Sequence, residues 1–98
     1  MAMIFKIEYI STFHADISNI ANNLDDYPQK AKRIFEKLDK VLRNLVEMPE
    51  IYPIYEHIPV FRKIIIEDYL LFYSINEKDS IIEVHRLIYG RMDIKKQL

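Results

Sequence analysis

Two runs decide how this chain folds: Tyr69-Leu70-Leu71-Phe72-Tyr73-Ser74-Ile75 and Ile81-Ile82-Glu83-Val84-His85-Arg86-Leu87-Ile88-Tyr89. The first is apolar at consecutive positions from Tyr69 to Tyr73, so a strand built from it has no face to turn to water. It reads as the centre of a sheet. The second is rich in β-branched residues, as suits a neighbouring strand. Asn76–Asp79 is the polar turn between them. Upstream, Val60–Ile66 is a third strand-like run, joined to Tyr69 by Glu67-Asp68, the length of a tight hairpin turn.

Moving toward the N-terminus, residues 49–59 hold Pro49, Pro53 and Pro59 and read as an irregular loop. Before it, Ala31, Ile34, Phe35, Leu38, Leu42, Leu45 and Val46 make a long stripe at helical spacing. Pro28 fits the first turn of that helix and Pro49 stops it. Glu36 and Lys40 sit one turn apart on its outer side, in the favourable order. A shorter helix precedes it, carried by Ile17, Ile20, Ala21 and Leu24 and ending near Asp25-Asp26-Tyr27. Ser11 and Thr12 are placed to cap its start. Residues 3–10 alternate, with Phe5, Ile7 and Tyr9 opposite Lys6 and Glu8, which is the period of a half-buried strand. The order is β-α-α-β-β-β and the fold class is α+β. A helical hairpin packs on one face of a mainly antiparallel sheet. Local pattern leaves open which later strand pairs with the first.

The chain has 98 residues, enough for one domain spanning positions 1–98. Half the residues are hydrophobic and 30% are charged, a globular balance. There is no cysteine, which excludes disulfides, thiol nucleophiles and cysteine-ligated zinc. The opening MAMIFKIEYI lacks the apolar core of a signal peptide, and no run approaches the ~18 apolar residues of a membrane span. A soluble cytoplasmic protein without membrane contact is expected. A net charge of −1 argues against a non-specific nucleic-acid binder, though not against a local basic patch.

His14, His57 and His85 fall on different elements and show no metal-ligand spacing. One glycine, Gly90, cannot build a phosphate-cradling loop. Ser11, Ser18, Ser74 and Ser80 lie outside any nucleophile-elbow context. No metal and no cofactor are expected. Asp25-Asp26 and Glu67-Asp68 read as solvated turn residues. One constellation stands out. Arg62 and Lys63 open a strand, and Arg86 lies on the last strand in phase with Ile82, Val84 and Ile88. A charge in an apolar phase is costly unless paired or placed at the rim. Arg91, Lys95 and Lys96 follow, with Tyr89 among them. Were the last strand to lie beside residues 60–66, these cations would converge at one end of the sheet. Such a patch could stabilise charge on a phosphate in flight, grip an acidic partner, or simply be solvated.

The run Tyr69–Ile75, followed after the turn by Ile82-Glu83-Val84-His85-Arg86-Leu87-Ile88-Tyr89-Gly90-Arg91-Met92-Asp93-Ile94, resembles the RelE/ParE toxin family. These are toxins of type II toxin–antitoxin systems, also known as plasmid stabilisation proteins. The family signature there is an aromatic-rich strand, then a strand of the type Arg-apolar-apolar-His-Gly-x-Arg-Asp-apolar. Upstream, Asp16-Ile17-Ser18-Asn19-Ile20-Ala21 and the proline after the long helix match more loosely. The resemblance implies a toxin held inactive by a cognate antitoxin, in a toxin–antitoxin hetero-oligomer. It also implies one of two targets. ParE-like members poison DNA gyrase without hydrolysis. RelE-like members cut messenger RNA on the ribosome.

Leu70 stands where RelE-like nucleases usually carry an arginine, and Tyr89 stands at the family's usual histidine position. A phenol ionises only near pH ~10, which makes tyrosine a poor base at neutral pH. The Tyr-Leu-Leu-Phe-Tyr run and the Gly-x-x-Asp-Ile ending are closer to the ParE branch. On the nuclease alternative, the catalytic set is Arg62, Lys63, Arg86, Tyr89 and Arg91. Arg62 and Arg91 then stabilise the transition state and Tyr89 transfers the proton. On the ParE-like reading, the sheet surface and the tail Asp93–Leu98 engage gyrase. On either reading, the open sheet and helix pair leave apolar surface for an antitoxin segment that folds on binding.

Overall fold

The computed structural model describes residues 4–92 and 94–98. Met3 of the first run and Asp93 of the terminal signature lie outside the described residues. The elements are β1 (Lys6–Tyr9), α1 (Ser11–Asn23), α2 (Pro28–Glu47), β2 (Arg62–Ile66), β3 (Tyr69–Asn76), β4 (Ile81–Tyr89) and α3 (Ile94–Gln97). The sheet order is β1-β4-β3-β2. β2, β3 and β4 form an antiparallel meander, and the all-apolar run is internal, between two partners. β1 runs parallel to β4, with Lys6 opposite Ile81 and Tyr9 opposite Val84. The helical hairpin carries the chain from β1 to β2 at the opposite edge, and the meander then brings β4 back beside β1 in the parallel sense.

The helices cover one face. Ile34, Leu38, Val41 and Leu45 of α2 are buried at the spacing that faces one side of a helix. They meet Ile64, Ile66, Leu71, Tyr73, Ile82, Val84 and Leu87 of the sheet. Leu45 has no exposed surface, so truncating it to alanine costs about 3 kcal/mol. On α1 the buried positions are Phe13, Asp16 and Ile20. Ala21, placed on the apolar stripe from sequence, is exposed instead. The opposite sheet face is covered too. Tyr55, Phe72 and Ile88 are buried there beneath Ile58, Phe61, Ile94 and Leu98. The proline loop and the short α3, which the sequence did not announce, supply that cover.

Local details depart from expectation for physical reasons. The N-cap of α1 is Ile10, with no side-chain cap, because the Thr12 hydroxyl donates to the His85 carbonyl at 2.8 Å. On α2 the ion pairs are Lys32–Glu36 and Asp39–Arg43, not Glu36–Lys40, and both are well exposed. Exposed pairs of this kind add little stability. Glu67 and Ser80 hold positive φ, 53° and 54°, at the two hairpin turns. Neither is glycine, so each costs roughly 1 kcal/mol. The single glycine serves a different purpose. The Gly90 N–H donates to the Asp68 carbonyl at 2.8 Å, and a Cβ at that position would lie 3.1 Å from the same oxygen.

A β-bulge interrupts the β3–β4 ladder. Tyr73 faces Val84, but Phe72 faces Arg86, so His85 has no cross-strand partner. The extra residue reverses the phase of β4. Ile82 and Val84 face the helices, whereas Arg86 and Ile88 share the row positions of Phe72 and Leu70 on the far face. The expected alignment of Arg86 with Ile82 and Val84 is therefore corrected; only its alignment with Ile88 holds.

Candidate functional site

β1 pairs with β4 only as far as Val84, which leaves the rest of the β4 edge to be covered by α1. The covering residue is Asp16. Its carboxylate accepts from Arg86 Nε at 2.8 Å, from Arg86 Nη2 at 3.0 Å and from the Leu87 backbone N–H at 2.9 Å. One side chain thus pairs a half-buried guanidinium and satisfies an edge amide that no strand reaches. The third nitrogen, Arg86 Nη1, donates to the Gln97 carbonyl of the C-terminal segment. The Asp16 bond holds the Arg86 guanidinium charged above its ordinary range, against the opposing effect of burial.

Beside this junction lies a cleft of ≈ 650 Å³ between α1 and the end of β4. Asn19, Asn22 and Asn23 line its helical wall; Arg86, Tyr89 and Tyr69 line its strand wall. Tyr69 and Tyr89 meet edge to face, with ring centroids 5.7 Å apart. Burial raises the Tyr69 phenol above its ordinary pKa.

The five residues singled out from sequence do not form one cluster. β3 lies between β4 and β2, so the last strand is not beside residues 60–66, and the premise for convergence fails. Arg62 stands opposite Tyr73, and its Nη1 donates to the Tyr52 carbonyl at 2.7 Å and the Glu50 carbonyl at 3.3 Å. It fastens the proline loop. Lys63 shares a transverse row with Phe72 and Arg86, about 10 Å from Arg86 across two strand spacings. Its ammonium lies 5.7 Å from the Tyr55 ring centre. Arg86 and Tyr89 share the cleft. Arg91 is exposed beyond β4, near Asp68, whose carboxyl is held below its ordinary range chiefly by Lys30 and less by Arg91.

Sequence reading passed over the role of Asp16. The signal was present: Asp16 sits at helical spacing between Phe13 and Ile20, a carboxylate on an apolar stripe. His85 was passed over as well. Its Nε2 is 2.8 Å from Ser74 Oγ and its ring lies edge to face on Phe61 at 4.9 Å. Burial lowers its pKa, against a smaller opposing effect of Glu83. Among the described residues, no group of acidic or histidine side chains is placed to hold a metal ion. No helix among them is long and apolar enough to cross a membrane.

Comparison with solved structures finds the same fold in toxin–antitoxin assemblies. The chromosomal ParDE system of P. aeruginosa matches at a TM-score of 0.72 and 13% identity, over 89% of this chain and 97% of that one. The toxin–antitoxin complex RelBE2 of Mycobacterium tuberculosis matches at 0.63 and 14% identity, over 88% and 98%. No curated protein sequence matches significantly. The family model for the ParE toxin of the parDE type II toxin–antitoxin system matches residues 7–94. That span runs from β1 into α3 and takes in both walls of the cleft, and the chain belongs to the ParE toxin family of type II toxin–antitoxin systems.

Proposed function

We propose that this toxin acts in the ParE manner, by binding DNA gyrase, and not by cutting RNA. The observation that carries this reading is the engagement of its cations. A metal-free ribonuclease needs several positive groups aimed at one phosphate. Here Arg62 is turned onto the Tyr52 and Glu50 carbonyls, Arg86 is held by Asp16 and Gln97, and Arg91 lies apart near Asp68. Leu70 supplies no charge in the central strand. Exposed Ile65 on the edge strand β2 and exposed Lys95 and Lys96 of the C-terminal segment offer binding surface instead.

The RelE-like alternative, a ribosome-dependent messenger RNA endonuclease, is favoured by one feature: Arg86 and Tyr89 line the same cleft. On either reading the toxin works in the cytoplasm and is silenced by a cognate antitoxin within a hetero-oligomer. The likeness to the ParDE and RelBE2 assemblies supports that partner. A supercoiling assay with purified gyrase tests the proposal. The expected result is loss of supercoiling at an excess of toxin. Unchanged supercoiling, together with cut messenger RNA on programmed ribosomes, contradicts it.

A further inference from the structure

Arg86 divides its guanidinium between two parts of the chain. Nε and Nη2 go to the two oxygens of the Asp16 carboxylate, and Nη1 donates to the Gln97 carbonyl. A guanidinium is a rigid planar fork, so holding two of its nitrogens on one carboxylate also fixes where the third points. Asp16 is itself anchored, because its Oδ2 also accepts the Leu87 amide at 2.9 Å. A carboxylate on α1 therefore sets the direction in which the end of β4 offers a donor to the C-terminal segment.

That segment depends on such a donor. α3 is four residues long, Ile94–Gln97, too short to hold a helical shape by itself. Ile94 and Leu98, one turn apart, rest half-buried against the cluster of Tyr55, Phe72 and Ile88. Apolar contact is non-directional and leaves the rotation of so short a segment open. The Arg86 bond is directional, and it closes on the last carbonyl of α3, where a cationic side chain commonly ends a helix. With Ile94 and Leu98 turned inward, Lys95 and Lys96 are exposed. We propose that Asp16 is a positioning residue for the C-terminal segment. Through Arg86 it fixes the segment's rotation, and so presents Lys95 and Lys96 as a cationic contact for the toxin's target. The identity of that target rests on the gyrase-binding reading; the positioning of the segment does not.

The test uses the full ¹⁵N-labelled chain. Heteronuclear NOE ratios of residues 95–98 read the order of the segment, and inhibition of gyrase supercoiling reads the target contact. Asp16→Asn takes away the carboxylate that the fork grips. Arg86→Lys keeps the charge and a bond to Asp16, but a point-like ammonium cannot span to Gln97 as well. Both variants are expected to drop the NOE ratios to those of a frayed terminus and to need roughly tenfold more toxin for half-inhibition. K95E/K96E is expected to weaken inhibition as much with the segment still ordered. Ile34→Val, a core variant away from the fork, is expected to keep native values in both readouts despite lower stability. Arg86→Lys carries the test should Asp16→Asn not fold. An ordered segment in both fork variants, equal loss of order in Ile34→Val, or undiminished inhibition by variants whose segment has come loose each overturn the proposal. A native chain that leaves supercoiling unchanged contradicts the gyrase reading, and the NOE ratios then decide the positioning by themselves.

Discussion

Asp16 and Arg86 are 70 residues apart in sequence and form a two-point ion pair, with Nε and Nη2 of the arginine on the two oxygens of one carboxylate. Their side chains are only 11% and 21% exposed. The pair locks α1 to the end of β4 just where β1 stops. Asp16→Ala leaves a half-buried guanidinium and the Leu87 amide without an acceptor. The expected cost is about 3 kcal/mol in urea unfolding. The D16A/R86A double variant should be less destabilised than the sum of the two single ones. Strict additivity contradicts the pair.

Tyr73 has no exposed surface, and its hydroxyl donates to the Pro49 carbonyl at 2.6 Å. Tyr73→Phe leaves that carbonyl unpaired and should cost about 1–2 kcal/mol at neutral pH. Burial also raises the phenol well above its ordinary pKa. The neutral form is thus favoured by folding. Its stabilisation is full below pH ~10 and is lost as pH rises from there toward the folded value. The native chain should destabilise steeply in that alkaline window and the phenylalanine variant less so. Parallel curves contradict the assignment.

His85 has the opposite sign of dependence on acid. Burial lowers its folded pKa, so the neutral ring is what the fold favours. That contribution is complete above the ordinary value of about 6.5 and is lost as pH falls through the lowered one. Urea midpoints of the native chain should drop as pH falls below about 6.5, and those of His85→Gln should drop less. Identical drops count against burial of the His85 ring as the cause.

Gly90→Ala tests the close approach of the β4 end to the first hairpin. Its Cβ meets the Asp68 oxygen at 3.1 Å, tighter than ordinary contact, so the turn must give slightly. Overpacking of this size should cost about 1 kcal/mol, read as a shift in thermal midpoint. A stabilised variant shows that the turn yields freely.

Periodicity made the meander, the long helix and the α+β class readable, because each depends on residues close in sequence. The parallel pairing of β1 with β4 was not readable, since Lys6 and Ile81 are brought together only by the crossover. The bulge at His85 was equally hidden: one unpaired residue leaves no mark on composition but moves Arg86 to the other face. The site residues suffered most from this. Arg62, Lys63, Arg86 and Arg91 are cationic in any reading, but strand order decides whether they meet, and β3 keeps the two groups apart. Asp16 was visible as a carboxylate on an apolar stripe and within the family match, but its partner lay at the far end of the chain.

The most direct test of the account is pulse labelling after brief expression in bacteria, with thymidine and methionine incorporation followed side by side. Thymidine incorporation is predicted to fall first, as it must if gyrase is the target and the cations are engaged in the fold. A prior fall in methionine incorporation contradicts this, and would make the cleft of Arg86 and Tyr89 a ribosome-dependent active site.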